Sequence, residues 1–197
     1  MSSTIKVVLF LALTILCVRL VAAFLTSRQD RVQTSSSAAT SDPKSAYLEL
    51  RNQILQLKRE KIGLAAPSKP TEPWAVIMDW GVLNGTATVV AISDGTASVY
   101  LSSGGGSIGG GQSHDPIHKA AQKMVSVAAE FRSQMRPATT YPLPERGQVI
   151  FYCIADLAVF TANASEEELT SHRHPLSRLG DAAQNIITQY RLIETAK

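Results

Sequence analysis

At 197 residues the chain is long enough for one well-formed core with appendages and too short for two large domains. Hydrophobic residues make up 45% and charged residues 18%, a balance that excludes a wholly disordered chain. The net charge of +3 is unevenly spread: residues 1–73 carry 10 Lys/Arg against 5 Asp/Glu, and residues 74–197 carry 9 against 11. The C-terminal part is therefore slightly acidic, which argues against nucleic acid as a partner.

The chain opens on an apolar head within residues 1–25. Ile5 to Leu25 is apolar apart from Lys6, Thr14, Cys17 and Arg19. As a single-pass transmembrane anchor the segment is long enough to cross a bilayer. Arg19 opposes that reading, since a charge in the hydrocarbon costs about 2.5–3.5 kcal/mol, less near an end. As a signal peptide, Lys6 supplies the basic start, Val7–Val18 the apolar stretch and Val21-Ala22-Ala23 a small-residue cleavage site. Arg28 and Arg31 come after the segment, and basic flanks stay on the cytoplasmic side. The expectation is an uncleaved anchor with a cytoplasmic C-terminal domain, export after cleavage being the alternative. Either way the membrane is the expected partner of the head.

Residues 26–44 are rich in Ser, Thr and Ala and read as a flexible linker. Asp42-Pro43 can cap and open the next helix, and residues 45–64 read as amphipathic, with Tyr47, Leu50, Ile54 and Leu57 on one face and Glu49, Arg51, Lys58, Arg59 and Glu60 on the remainder. Its expected role is to pack on the C-terminal domain; a dimerising coil has less support, because fewer than two heptads repeat. Residues 65–73, with Pro67, Pro70 and Pro73, form a stiff linker into a compact domain over residues 74–197.

Trp74–Val82 reads as a buried strand interrupted by Asp79, the one potentially buried acid in a strand; it is expected on the solvent face or against a backbone N–H, a perturbed carboxylate being the alternative. Asn84-Gly85 and Asp94-Gly95 are hairpin signals flanking Thr86–Ser93, and Thr96–Ser102 is a third strand. A long helix starts at Asp115-Pro116, with Asp115 as the expected N-cap, and ends at Arg136-Pro137. Its apolar face is Ile117, Ala120, Ala121, Met124, Ala128, Phe131 and Met135. Gln148–Ala155 and Leu157–Ala162 form a second hairpin, in which Cys153 reads as a small core residue. Glu166–Glu168 reads as a solvated loop. A last helix begins at Pro175 and buries Leu176, Leu179, Ala183, Ile186, Tyr190 and Ile193. The fold class is α+β: an antiparallel sheet of about five strands with helices packed on it.

This order of helix, three strands, helix, two strands and helix resembles the profilin-like group that includes roadblock and longin domains, over about residues 45–194. The resemblance is one of topology, and it implies a docking or regulatory module, some members of the group binding small ligands. The runs DGTASVYLSSGGGSIGGG and RHPLS are similar to runs in bacterial proteins to which no activity attaches.

The sharpest chemical signal lies between the third strand and the long helix, where six glycines fall within Gly104–Gly111. Backbone N–H groups at a helix start can cradle an anion, so Ser107, Gly109, Gly110, Gly111, His114 and Asp115 are candidate contacts for a phosphate-bearing ligand. The run lacks the Gly-Lys-Ser/Thr end of a phosphate loop and the spacing of a dinucleotide fingerprint, and Asp115 would repel an anion. The competing reading is a crossover needing positive φ angles. His114, His118, His172 and His174 all lie near the two long-helix starts and are weak metal candidates. Ser102, Ser103 and Ser107 form no nucleophile elbow. The expected function is a membrane-tethered, non-catalytic module that docks a protein partner or a second copy of itself. The alternative is a small-ligand sensor or enzyme built on the glycine-rich loop; no cofactor is specified.

Overall fold

Glycine sets the two tight turns that start the sheet. Gly85 and Gly95 sit at φ +132° and +85°, backbone that other residues resist, and each closes a hairpin where the sequence signals one. In the computed structural model, which describes residues 42–195, β1 (Ala75–Val82), β2 (Gly85–Ile92) and β3 (Ala97–Leu101) form the resulting antiparallel meander. A glycine-rich strand, β4 (Gly106–Ile108), extends it along β3. The long helix α2 (Asp115–Phe131) then crosses to β5 (Arg136–Pro137), β6 (Gln148–Ile154) and β7 (Val159–Ser165). β6 pairs with β1, so the sheet runs β4-β3-β2-β1-β6-β7-β5, antiparallel throughout. It has seven strands where about five are expected; the two extra, β4 and β5, are short edge pieces of three and two residues.

The pleat sorts alternate residues of β1 to opposite faces. Val76 and Met78 point toward α2 and α4 (Ser177–Thr195), whose stripes of Ile117, Ala121, Met124 and Ala128, and Leu179, Ala183 and Ile186, complete the larger core. Phe131 and Ile193 flank that core rather than enter it. Ala75 and Ile77 point the other way, into a second core with Trp74, Val90, Tyr100, Tyr152 and Ile154. The helix α1 (Pro43–Leu55) covers this face through Tyr47 and Leu55. The result is three layers, with the sheet between α1 and the α2–α4 pair.

Several expectations are corrected. The first helix opens where Asp42-Pro43 signals it, at an Asp42 cap with Pro43 next, but α1 stops at Leu55 rather than Leu64, and Arg59–Ile62 forms a separate 3-10 turn closed by Gly63 at φ +72°. The N-cap of α2 is His114, with Asp115 already inside the helix, and the helix ends at Phe131, where a 3-10 turn over Arg132–Gln134 takes over. Glu166–Glu168 is no loop. Ser165 and Glu168 form a reciprocal capping box that starts the short helix α3 (Glu166–Thr170), and Glu166 accepts a hydrogen bond from Trp80 Nε1 at 3.0 Å. β7 starts two residues later than expected and continues to Ser165. The apolar head and the linker up to residue 41 lie outside the described residues.

Asp79 carries the last correction. It faces α1 and is fully buried, and its partner is Arg51, which is 2% exposed on the inner line of that helix. Arg51 Nε and Nη2 both reach Asp79 Oδ2 at 2.7 Å, while the Thr88 hydroxyl donates to Oδ1 at 2.6 Å. Tyr47 OH lies 2.8 Å from Thr88 Oγ1. The far side of the guanidinium donates to the carbonyls of Tyr141 and Pro142 at 3.0 and 3.3 Å, and Tyr152 OH donates to the Pro142 carbonyl at 2.7 Å. Helix, three strands and the β5–β6 connection thus meet at one ion pair. Burial works against the Arg51 charge, but Asp79 outweighs it and holds the guanidinium above its ordinary value. Burial pushes the Asp79 carboxyl upward, opposed by Arg51 and Thr88.

Removing one member would strand the other charge in a dry interface. Arg51→Met and Asp79→Leu are each expected to cost about 3–5 kcal/mol in chemical denaturation, whereas the double variant recovers most of that loss. Additive losses would contradict a direct pair.

Candidate functional site

The glycine-rich segment folds as the sheet's edge rather than as an open loop. Gly104, Gly105 and Gly106 have φ of +101°, +86° and +140°, which lets the chain reverse after β3 and return as β4. A Cβ on Gly106 would lie 2.3 Å from the Val99 carbonyl oxygen, and one on Gly111 would lie 1.8 Å from that of Gly95. Close backbone approach therefore accounts for glycine at both places.

Four of the six candidate anion contacts have partners within the protein. Gly109 N–H donates to Ser98 Oγ at 3.3 Å, and Gly110 N–H donates to Tyr190 OH at 2.9 Å. Tyr190 OH in turn donates to the Ala97 carbonyl at 2.7 Å, stitching the end of α4 to the β3–β4 edge. Gly111 is buried against Gly95. Ser107 Oγ lies 3.4 Å from Glu194 Oε1, and Asp115 pairs with Lys119 at 2.6 Å on the exposed first turn of α2. His114 caps α2 without a side-chain hydrogen bond to it. Ser102 Oγ accepts from Thr86 N–H at 2.8 Å across the hairpin, a structural task.

The histidines have separate surroundings. His118 packs beside Gly95, where a Cβ would strike its ring. His172, in left-handed backbone at φ +55°, has Nδ1 3.7 Å from Asp181 Oδ2, and His174 Nδ1 accepts from Leu176 N–H at 3.2 Å. No three His, Cys, Asp or Glu side chains converge among the described residues.

The structure adds a groove on the α1 face that sequence reasoning misses. α1 lies over β1–β3, and the β5–β6–β7 half of that face stays open behind Tyr141 and Pro142. The register lays Ile150 and Tyr152 of β6 beside Asn163 and Thr161 of β7, with Arg136 of β5 next to Thr161. These residues, with Thr139, Thr140 and Pro142, line a groove of about 410 Å³. The alternation of β7 (Val159, Thr161 and Asn163 on one face) is readable, but the two-residue strand that brings Arg136 alongside is not.

The chain matches no protein-family model, no curated protein and no solved structure. The likeness to profilin-like domains therefore rests on element order alone.

The single cysteine among the described residues, Cys153, is fully buried in β6. Burial pushes its thiol up to about 12, so it has no thiolate to offer at neutral pH. In the unfolded chain the thiol ionises near the ordinary 9.0, so its contribution is intact below pH 9 and is lost as pH rises toward 12. Across that window wild type should lose about 1.4 kcal/mol of stability per pH unit more than Cys153→Ala. Urea denaturation of both proteins at pH 8, 9, 10 and 11 checks this, and parallel pH profiles would contradict it.

Proposed function

We propose that this protein is a membrane-tethered, non-catalytic α+β module that docks a protein partner or a second copy of itself. The apolar head, Ile5–Leu25, is the tether. The observation that carries the reading is the Arg51–Asp79 pair: the helix next after the head and linker is bonded into the sheet, so the tether ends on a rigid part of the domain. The glycine-loop ligand reading has less support, because the Gly109 and Gly110 amides are spent on Ser98 and Tyr190. The described helices offer no second anchor, none being long and apolar enough to cross a membrane.

Flotation of the expressed protein on a density gradient tests the tether. The full chain should rise with the membranes and resist an alkaline carbonate wash, with its mass showing residues 1–25 retained; a chain starting at Asp42 should remain with the soluble proteins. A full-length product found soluble, or a product trimmed after Ala23, would overturn the anchored reading.

A further inference from the structure

We infer that the groove between the β6–β7 sheet surface and the Arg136–Pro142 segment is a binding site for a small organic anion, with Arg136 as its charged contact. Its size, about 410 Å³, falls in the range of small-molecule sites. Its floor is the half-buried Ile150 and the buried Tyr152, an apolar bed for the neutral part of a ligand. Arg136, Thr139, Thr140, Thr161 and Asn163 also line the groove, bringing one guanidinium, three hydroxyls and one amide to it.

Two observations give the site its sign. No Asp or Glu lines the groove, so nothing in it opposes a negative charge. Arg136 is also not committed to a carboxylate, as Arg51, Arg59, Arg173 and Arg178 are; Arg146 and Arg191 are likewise uncommitted among the described residues but do not line the groove. Among the described residues, Arg136 has no ion pair or side-chain hydrogen bond, and neither do the side chains of Thr139, Thr140, Thr161 and Asn163. Five polar side chains with unused donors thus share one concave surface, and a guanidinium fork suits the paired oxygens of a carboxylate or phosphate.

The groove is also held in shape. Its inner wall, Pro142, offers its carbonyl to both Arg51 and Tyr152, so the buried pair that fixes α1 fixes the same wall. That wall is therefore preformed, which lowers the ordering cost of binding.

The test is a thermal-unfolding titration of the full chain in detergent, at constant ionic strength, with inorganic phosphate, citrate and glycerol 3-phosphate as probes. At least one probe should raise the melting temperature saturably, by about 5–10 °C at a hundredfold excess over its Kd. Arg136→Gln should weaken its apparent affinity about 10- to 100-fold, as loss of a charged hydrogen bond implies. Arg191→Gln, on the exposed face of α4, should leave it unchanged. Arg136 is exposed, so its replacement leaves the fold intact. The proposal is overturned if no probe gives a saturable rise, or if Arg136→Gln responds as wild type does.

Discussion

The structure depends on one buried ion pair. Arg51 comes from a helix and Asp79 from the central strand, and neither charge would survive in that interface alone. Three features make burial tolerable. The contact uses two guanidinium nitrogens, a hydroxyl satisfies the second carboxylate oxygen, and two backbone carbonyls take up remaining Arg51 donors. Nearly every polar group at the centre of the layer has a partner; Tyr100 OH is the exception, buried without one among the described residues. Such an arrangement adds less to net stability than an apolar plug would. What it adds is definition, since a wrong rotation or register of α1 would leave charges unpaired in the dry layer.

That definition shapes the rest of the domain. The register carries Tyr100, Thr88, Asp79, Ile150 and Asn163 side by side across the sheet on one face. α1 covers the Tyr100–Asp79 half of the row, and the open half becomes the groove. The same contact gives the proposed tether a firm point of attachment. On the opposite face the α2 and α4 stripes pack on β1, β2 and β6 as an apolar core.

Much of this is legible in the sequence. Asn84-Gly85 and Asp94-Gly95 mark the meander, and the 3–4 spacing of the α2 and α4 stripes marks the helices that cover it. The ion pair is not legible in that way, because its charge assigns Arg51 to the polar face of its helix. Tyr47, Arg51 and Leu55 lie four residues apart and form the innermost line, with Leu48, Leu50 and Ile54 at its flanks. A charge on that line, facing an acid in an apolar strand, is the available signal. β4 is hidden because glycines disfavour strands and it is held only along β3. α3 is easily mistaken for a loop although Ser165-Glu166-Glu167-Glu168 has the spacing of a capping box, since an acidic run also suits a solvated loop. The groove needs the two-residue β5 to come alongside β7, outside the readable β6–β7 hairpin, and local pattern carries no trace of that.

The most direct measurement is amide hydrogen exchange of the full chain, comparing residues 43–55 with 75–82 and 85–92. If the buried pair makes α1 part of the core, its central amides open together with β1 and β2, at the free energy of global unfolding. Exchange of α1 through a separate, easier opening, with β1 and β2 still protected, would contradict the account. The helix would then be a loosely docked appendage, and the proposed tether would lack a rigid attachment.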